Sequence, residues 1–112
     1  MLSAVAKRST GEGPWRPVRG REDVWVATLN EDPETRGSTL VVKLAAGYEA
    51  ERSLHDATVE VVVLEGRWQT GAITYGPGEY FCVPGGVVHG PERALTDVRL
   101  LVIAHGPLTP GP

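Results

Sequence analysis

The sequence is poor in what most other folds are built from. It has one cysteine, Cys82, in 112 residues, so no disulfide can form within the chain and a lone thiol fits a reducing compartment. No stretch keeps apolar residues at i, i+3, i+4 and i+7 for three turns, which argues against any helix of ordinary length. No apolar run approaches the roughly 20 residues of a membrane-spanning helix, and Lys7 and Arg8 close off any leader-like stretch near Met1. An excess of positive charge is missing too: 11 Lys and Arg face 14 Asp and Glu, a net charge of −3. A pI near 5.6 offers no electrostatic footprint for nucleic acid or an anionic membrane surface. Gly-rich phosphate loops, a Ser-His-Asp pattern and paired-cysteine zinc spacing are all absent. The expectation is a cytoplasmic protein without nucleic-acid or membrane partners.

Glycine and proline, at 14 and 9 residues, are plentiful, and both punctuate short extended segments. Val24 to Leu29, Thr39 to Leu44, Val59 to Leu64, Tyr80 to Val83 and Val98 to Ala104 read as strands, with a hairpin around Gly71 between Arg67 and Tyr75. In the second of these Leu40, Val42 and Leu44 point one way and Thr39, Val41 and Lys43 the other. Val59 to Leu64 and Val98 to Ala104 are apolar on both parities, so both of their faces are expected to be covered. Strands at such close intervals predict an all-β sandwich or barrel. The predicted organisation is a flexible arm over 1–14, one β-barrel domain over 15–105, and a flexible tail over 106–112.

The most informative stretch runs from Gly78 to His89. Tyr80 to Val83 is a strand between Gly76-Pro77-Gly78 and Pro84-Gly85-Gly86. Pro84 has no N–H and the two glycines tolerate positive φ, so the chain bends there and delivers His89. The spacing G-x5-P-x-G-x2-H resembles the second motif of the cupin superfamily, small β-barrels whose motif histidines usually bind a divalent metal. The family's Asn would fall at Arg93, so the tail of the motif is not kept. The first cupin motif, G-x5-H-x-H-x3-4-E-x6-G, is similar to Gly47 to Gly66: its two histidines fall on Ser53 and His55, its carboxylate on Val59 with Glu60 one residue late, and Val63-Leu64-Glu65-Gly66 matches its close. The flanking pattern from Trp15 onward resembles the small cupins akin to the metal-binding domain of anti-sigma factors. This resemblance implies a single cupin-type β-barrel, or jelly roll, of about eight strands.

A complete cupin site supplies three histidines and one carboxylate, and here Ser53 and Val59 stand at two of those positions. The implied metal ligands are His55, His89 and Glu60, with Ser53, Val59, Val61, Val63 and Tyr80 around the pocket. Strand alternation sends Glu60 to the face opposite Val59, Val61 and Val63 unless a bulge intervenes. Two imidazoles with waters suit zinc, nickel, iron or copper, and with Glu60 they become two histidines and a carboxylate, as in non-haem iron oxygenases. The cofactor expected from the resemblance is therefore a divalent metal such as zinc, nickel, iron or manganese. His105 is an edge residue that could be recruited as a third ligand, and Cys82 reads as a small buried apolar residue.

Two functions follow. One is a module that binds a metal or small molecule, with a regulatory use. The other is a metal-dependent dioxygenase, isomerase or hydrolase acting on a small organic compound. The apolar outer faces of the strands predict a homodimer, unless the segment around Trp15 folds back over them.

Overall fold

Alternating burial organises the molecule. The computed structural model describes residues 5–108. Within them β1 (Arg16–Pro17), β2 (Val24–Glu31), β3 (Ser38–Leu44), β4 (Glu49–Ala50) and β5 (Val59–Glu65) precede β6 (Trp68–Thr70), β7 (Ile73–Tyr75), β8 (Tyr80–Val83), β9 (Glu92–Ala94) and β10 (Val98–Ala104). The strands form a six-stranded sheet ordered β1-β2-β3-β10-β5-β8 and a four-stranded sheet ordered β4-β9-β6-β7, with every pairing antiparallel. This is the expected all-β jelly roll, with ten strands rather than about eight. Three short ones escaped the sequence reading. β1 and β4 span two residues each, and β9 is Glu-Arg-Ala, so none of them carries a hydrophobic alternation. The described residues contain no helix long and apolar enough to cross a membrane.

The core lies between the two sheets. β5 buries Val59, Val61 and Val63 and β10 buries Val98, Leu100, Val102 and Ala104 on alternate positions. Trp68 and Ala94 face them from the smaller sheet. Each such Val or Leu contributes roughly 1.5–3 kcal/mol on leaving water, so the two long central strands supply much of the stabilisation. No polar or charged residue among those described is buried.

The outer face of the larger sheet is apolar as well, as its sequence required. Ala27 and Val41 are partners in register and are only 1% and 0% exposed there. The neighbouring row, Trp25, Lys43 and Arg99, holds part of the N-terminal segment. Arg99 Nη1 donates to the Thr10 carbonyl at 3.4 Å, and the Lys43 ammonium lies 4.5 Å from the centre of the Trp15 ring. The predicted arm is therefore held on the sheet from about Thr10 onward, while Val5 is fully exposed. Val62, Leu64, Leu101 and Ile103, farther across this face, are half-buried. At the other end Gly106 is buried and Leu108 reaches the central cavity. Residues 1–4 of the predicted arm and 109–112 of the predicted tail lie outside the described residues.

Candidate functional site

Two loops grip each other and in doing so build the site. The Pro84-Gly85-Gly86 turn closes with the Val87 N–H donating to the Pro84 carbonyl at 3.2 Å, and Gly86 takes a φ of 80°. It docks on the loop from His55 to Thr58: the Gly86 N–H donates to the His55 carbonyl at 2.9 Å and the Gly85 N–H to Thr58 Oγ1 at 3.1 Å. Ser53 and His89 then pair across an antiparallel bridge, with reciprocal N–H to carbonyl bonds of 2.8 and 2.9 Å. The two segments singled out in the sequence thus lie side by side, and their imidazoles with them. The His55 and His89 ring centres are 5.3 Å apart.

Both histidines line a cavity of about 240 Å³ between the sheets. Its walls include Val59, Val61, Phe81, Leu100 and Val102, and its polar groups include Glu92 as well as the histidines. His89 has a polar neighbour at each ring nitrogen. The Ser53 hydroxyl lies 3.2 Å from Nε2, and Glu92 Oε2 lies 3.4 Å from Nδ1. The second contact is an ion-pair distance rather than an aligned hydrogen bond, and Nδ1 has no better partner within the protein. Thr70 Oγ1 steadies the same carboxylate oxygen from the facing strand, at 3.4 Å. His55 Nδ1 and the Trp68 indole N–H are buried without any partner.

Glu92 is the residue that sequence reading missed. The neighbouring Arg93, where the cupin Asn would fall, is exposed and paired with Glu49 Oε1 at 3.1 Å. Alternation from the buried Ala94 places Glu92 inward. The signal was present, but a three-residue polar strand gave no cue that alternation applied.

Among the predicted pocket residues, Val59 and Val61 line the cavity, Ser53 stands at its edge through His89, and Val63 is fully buried in the packed core beside it. Glu60 and Tyr80 do not join them. β5 and β8 pair without interruption from Val59↔Val83 to Val62↔Tyr80, and the irregularity between β5 and β10 falls at Arg99/Leu100, beyond Glu60. Regular alternation therefore sends Glu60 and Tyr80 to the outer face. There Tyr80 donates to Glu60 Oε1 at 2.7 Å and His105 Nε2 meets Glu60 Oε2 at 2.5 Å. Cys82 stands opposite Glu60 on this face and is exposed, so its expected burial does not occur.

This outer cluster has its own titration. The bond to Glu60 pushes the Tyr80 hydroxyl up to about 12, and the Glu60 carboxyl is lowered by Tyr80 first and by His105 second. A raised tyrosine favours folding below its ordinary value near 10 and loses that contribution as pH climbs toward the folded value. In Glu60→Gln the Tyr80 phenolate should therefore appear at lower pH than in the parent. Ring NMR shifts of Tyr80 report this, and an unchanged midpoint would show that the contact does not form in solution.

The donor set falls short of a complete cupin metal centre. Of the implied ligands, His55 and His89 remain in the cavity, while Glu60 is on the far side of the sheet and Val59 brings no donor atom. Glu92 approaches His89 at Nδ1, whereas Ser53 occupies the Nε2 edge, so the carboxylate orients the imidazole rather than completing a ligand shell. Among the described residues no group of three or more His, Cys, Asp or Glu side chains is placed to hold a metal ion.

A family model described as the ChrR cupin-like domain matches residues 4–109. No curated protein matches. Solved structures with the same fold include an RmlC-like cupin protein from Ralstonia eutropha, with a TM-score of 0.81 and 22% identity over 92% of this chain and 69% of that one. An acetylacetone dioxygenase from Acinetobacter johnsonii also has a TM-score of 0.81, at 17% identity over 96% of this chain and 78% of that one. The polyketide cyclase RemF from Streptomyces resistomycificus has a TM-score of 0.75, at 20% identity over 97% and 83%. At these identities the likeness is one of fold.

Proposed function

The chain belongs to the ChrR cupin-like domain family, and from that premise we propose that its barrel cavity binds a small, mostly apolar organic molecule oriented by His55, His89 and Glu92. The observation that carries this reading is the unpartnered His55 Nδ1, buried in the wall of a mostly apolar cavity. A buried polar atom left without a partner costs about 1–3 kcal/mol, and a ligand with one polar group and an apolar body removes that cost. Cavities of this kind, apolar with a few convergent polar groups, are the usual form of a small-molecule site.

A divalent metal such as zinc, nickel, iron or manganese belongs to this reading as a weakly held occupant. His55 and His89 would be its protein donors, and two imidazoles fall short of the three or four protein ligands of firm zinc sites. A regulatory use of the bound molecule accords with the likeness to anti-sigma-factor cupin domains. An enzymatic use accords with the dioxygenase and cyclase among proteins of this fold.

Hexanamide is a suitable probe, being neutral, small and amphipathic. It should shift the ring NMR signals of His55 and His89 saturably. His89→Ala should abolish the His55 shift while leaving the chain folded, because the backbone bridge to Ser53 does not depend on the side chain. Equal affinity in parent and His89→Ala would remove His89 from the site.

A further inference from the structure

At one position where the family resemblance places a metal-binding histidine, this chain has Ser53, and the structure gives that serine a partner. Its Oγ is 3.2 Å from His89 Nε2, and His89 Nδ1 is 3.4 Å from Glu92 Oε2. Hydroxyl, imidazole and carboxylate therefore lie in that order about the two ring nitrogens, the first contact a hydrogen bond and the second at ion-pair distance. Closure of the Glu92 carboxylate onto Nδ1 would favour the tautomer protonated there, with the Nε2 lone pair toward the hydroxyl. This is the relation of nucleophile, base and orienting group that activates a serine, recognised by geometry and not by order along the chain. The chain order Ser, His, Glu differs from the pattern sought in the sequence. The spacing is loose, as catalytic contacts often are before substrate binds.

The surroundings fit the same use. Reciprocal backbone bonds hold Ser53 and His89 together, so the nucleophile and base meet on a rigid bridge. The side chains of His89 and Glu92 are only 14% and 15% exposed. The cavity beside them is lined by His89 and Glu92 and walled mostly by apolar side chains.

We propose that Ser53, His89 and Glu92 form a metal-independent hydrolytic triad for esters of short apolar acids. The proposal rests on the small-molecule reading of the cavity and names its substrate class. Ser53 Oγ attacks the ester carbonyl carbon as its proton passes to His89 Nε2. The tetrahedral intermediate collapses, the C–O bond to the alcohol breaks, and His89 returns the proton to the departing oxygen. Water, deprotonated by His89, then attacks the acyl-serine. Ser53 leaves with the proton back on its oxygen and the carboxylic acid is released. A cavity of about 240 Å³ walled by Val59, Val61, Leu100 and Val102 suits an acyl chain of a few carbons.

The test uses the full chain dialysed against chelator, with p-nitrophenyl butyrate as substrate and a fluorophosphonate as covalent probe. Turnover above the solvent rate is expected, with a phosphonyl adduct on Ser53 by mass spectrometry. Ser53→Ala should lower kcat on the order of 10²-fold or more while still binding hexanamide, which shows that the cavity is intact. Glu92→Gln should lower kcat more than it raises KM and move the pH profile of kcat. Undiminished turnover in Ser53→Ala, labelling elsewhere, or turnover that chelator abolishes would overturn the triad. Hexanamide binding without turnover would overturn the triad alone, and absence of both would overturn the small-molecule reading with it.

Discussion

Val59→Glu is expected to turn the cavity into a zinc site. Val59 is the position at which the cupin resemblance places the missing carboxylate, and it lines the same cavity as His55 and His89. Its strand is regular there, so the new side chain enters the cavity instead of following Glu60 outward. Three protein donors with one open position is the composition of many zinc centres. Affinity should rise by more than the roughly 10–100-fold that outer-shell partners contribute. Without zinc the substitution places a carboxylate in an apolar cavity, which raises its pKa and lowers stability. Stability should therefore become zinc-dependent in Val59→Glu and stay nearly zinc-independent in the parent. Calorimetric unfolding with and without zinc measures both arms. If zinc leaves the melting temperature of Val59→Glu unmoved, the inward position of residue 59 or the availability of the two imidazoles is wrong. If Glu60→Gln removes bound metal from the parent, Glu60 is the ligand after all.

Gly85→Ala is expected to be the more damaging of two superficially equal changes in the turn before His89. A methyl at Gly85 would stand 2.1 Å from the Asp56 carbonyl oxygen and 3.1 Å from its carbon, and both are backbone atoms that no rotamer change can move. Either the turn or the His55 loop must withdraw, breaking the Gly86 N–H to His55 carbonyl bond. Overpacking of this kind costs typically 1–3 kcal/mol and occasionally more, and for a domain of this size each kcal/mol is worth about 4 °C or more in Tm. Gly86→Ala meets nothing within 4 Å and bears only the strain of its φ of 80°, a cost of about 1–2 kcal/mol. The distinguishing sign is at the site. Gly85→Ala should separate the two imidazoles and weaken hexanamide binding even at temperatures where the chain is folded, whereas Gly86→Ala should preserve it. Equal effects of the two substitutions on Tm and on binding would mean that the loops do not grip as described.

The sequence by itself determined the fold class and the place of the site. Apolar residues on both parities of Val59 to Leu64 and Val98 to Ala104 require two covered faces, and the Pro84-Gly85-Gly86 turn ahead of His89 requires a bend wherever the strand ends. Those are local constraints, set by side-chain period and by the φ angles that proline and glycine permit. Alternation also placed Glu60 opposite Val59, but only the ladder could show that no bulge reverses it, because a bulge depends on the partner strands. The tertiary structure alone decided which groups meet. Ser53 touches His89 because two loops separated by more than thirty residues lock through backbone bonds, and Glu92 turns inward because a short strand pairs with β4 and β6. The outer trio of Tyr80, Glu60 and His105 arises likewise from diagonal neighbours on the paired strands β8 and β5 and from the residue just past β10. Contacts of this range depend on strand order and register, which no single segment of the sequence encodes.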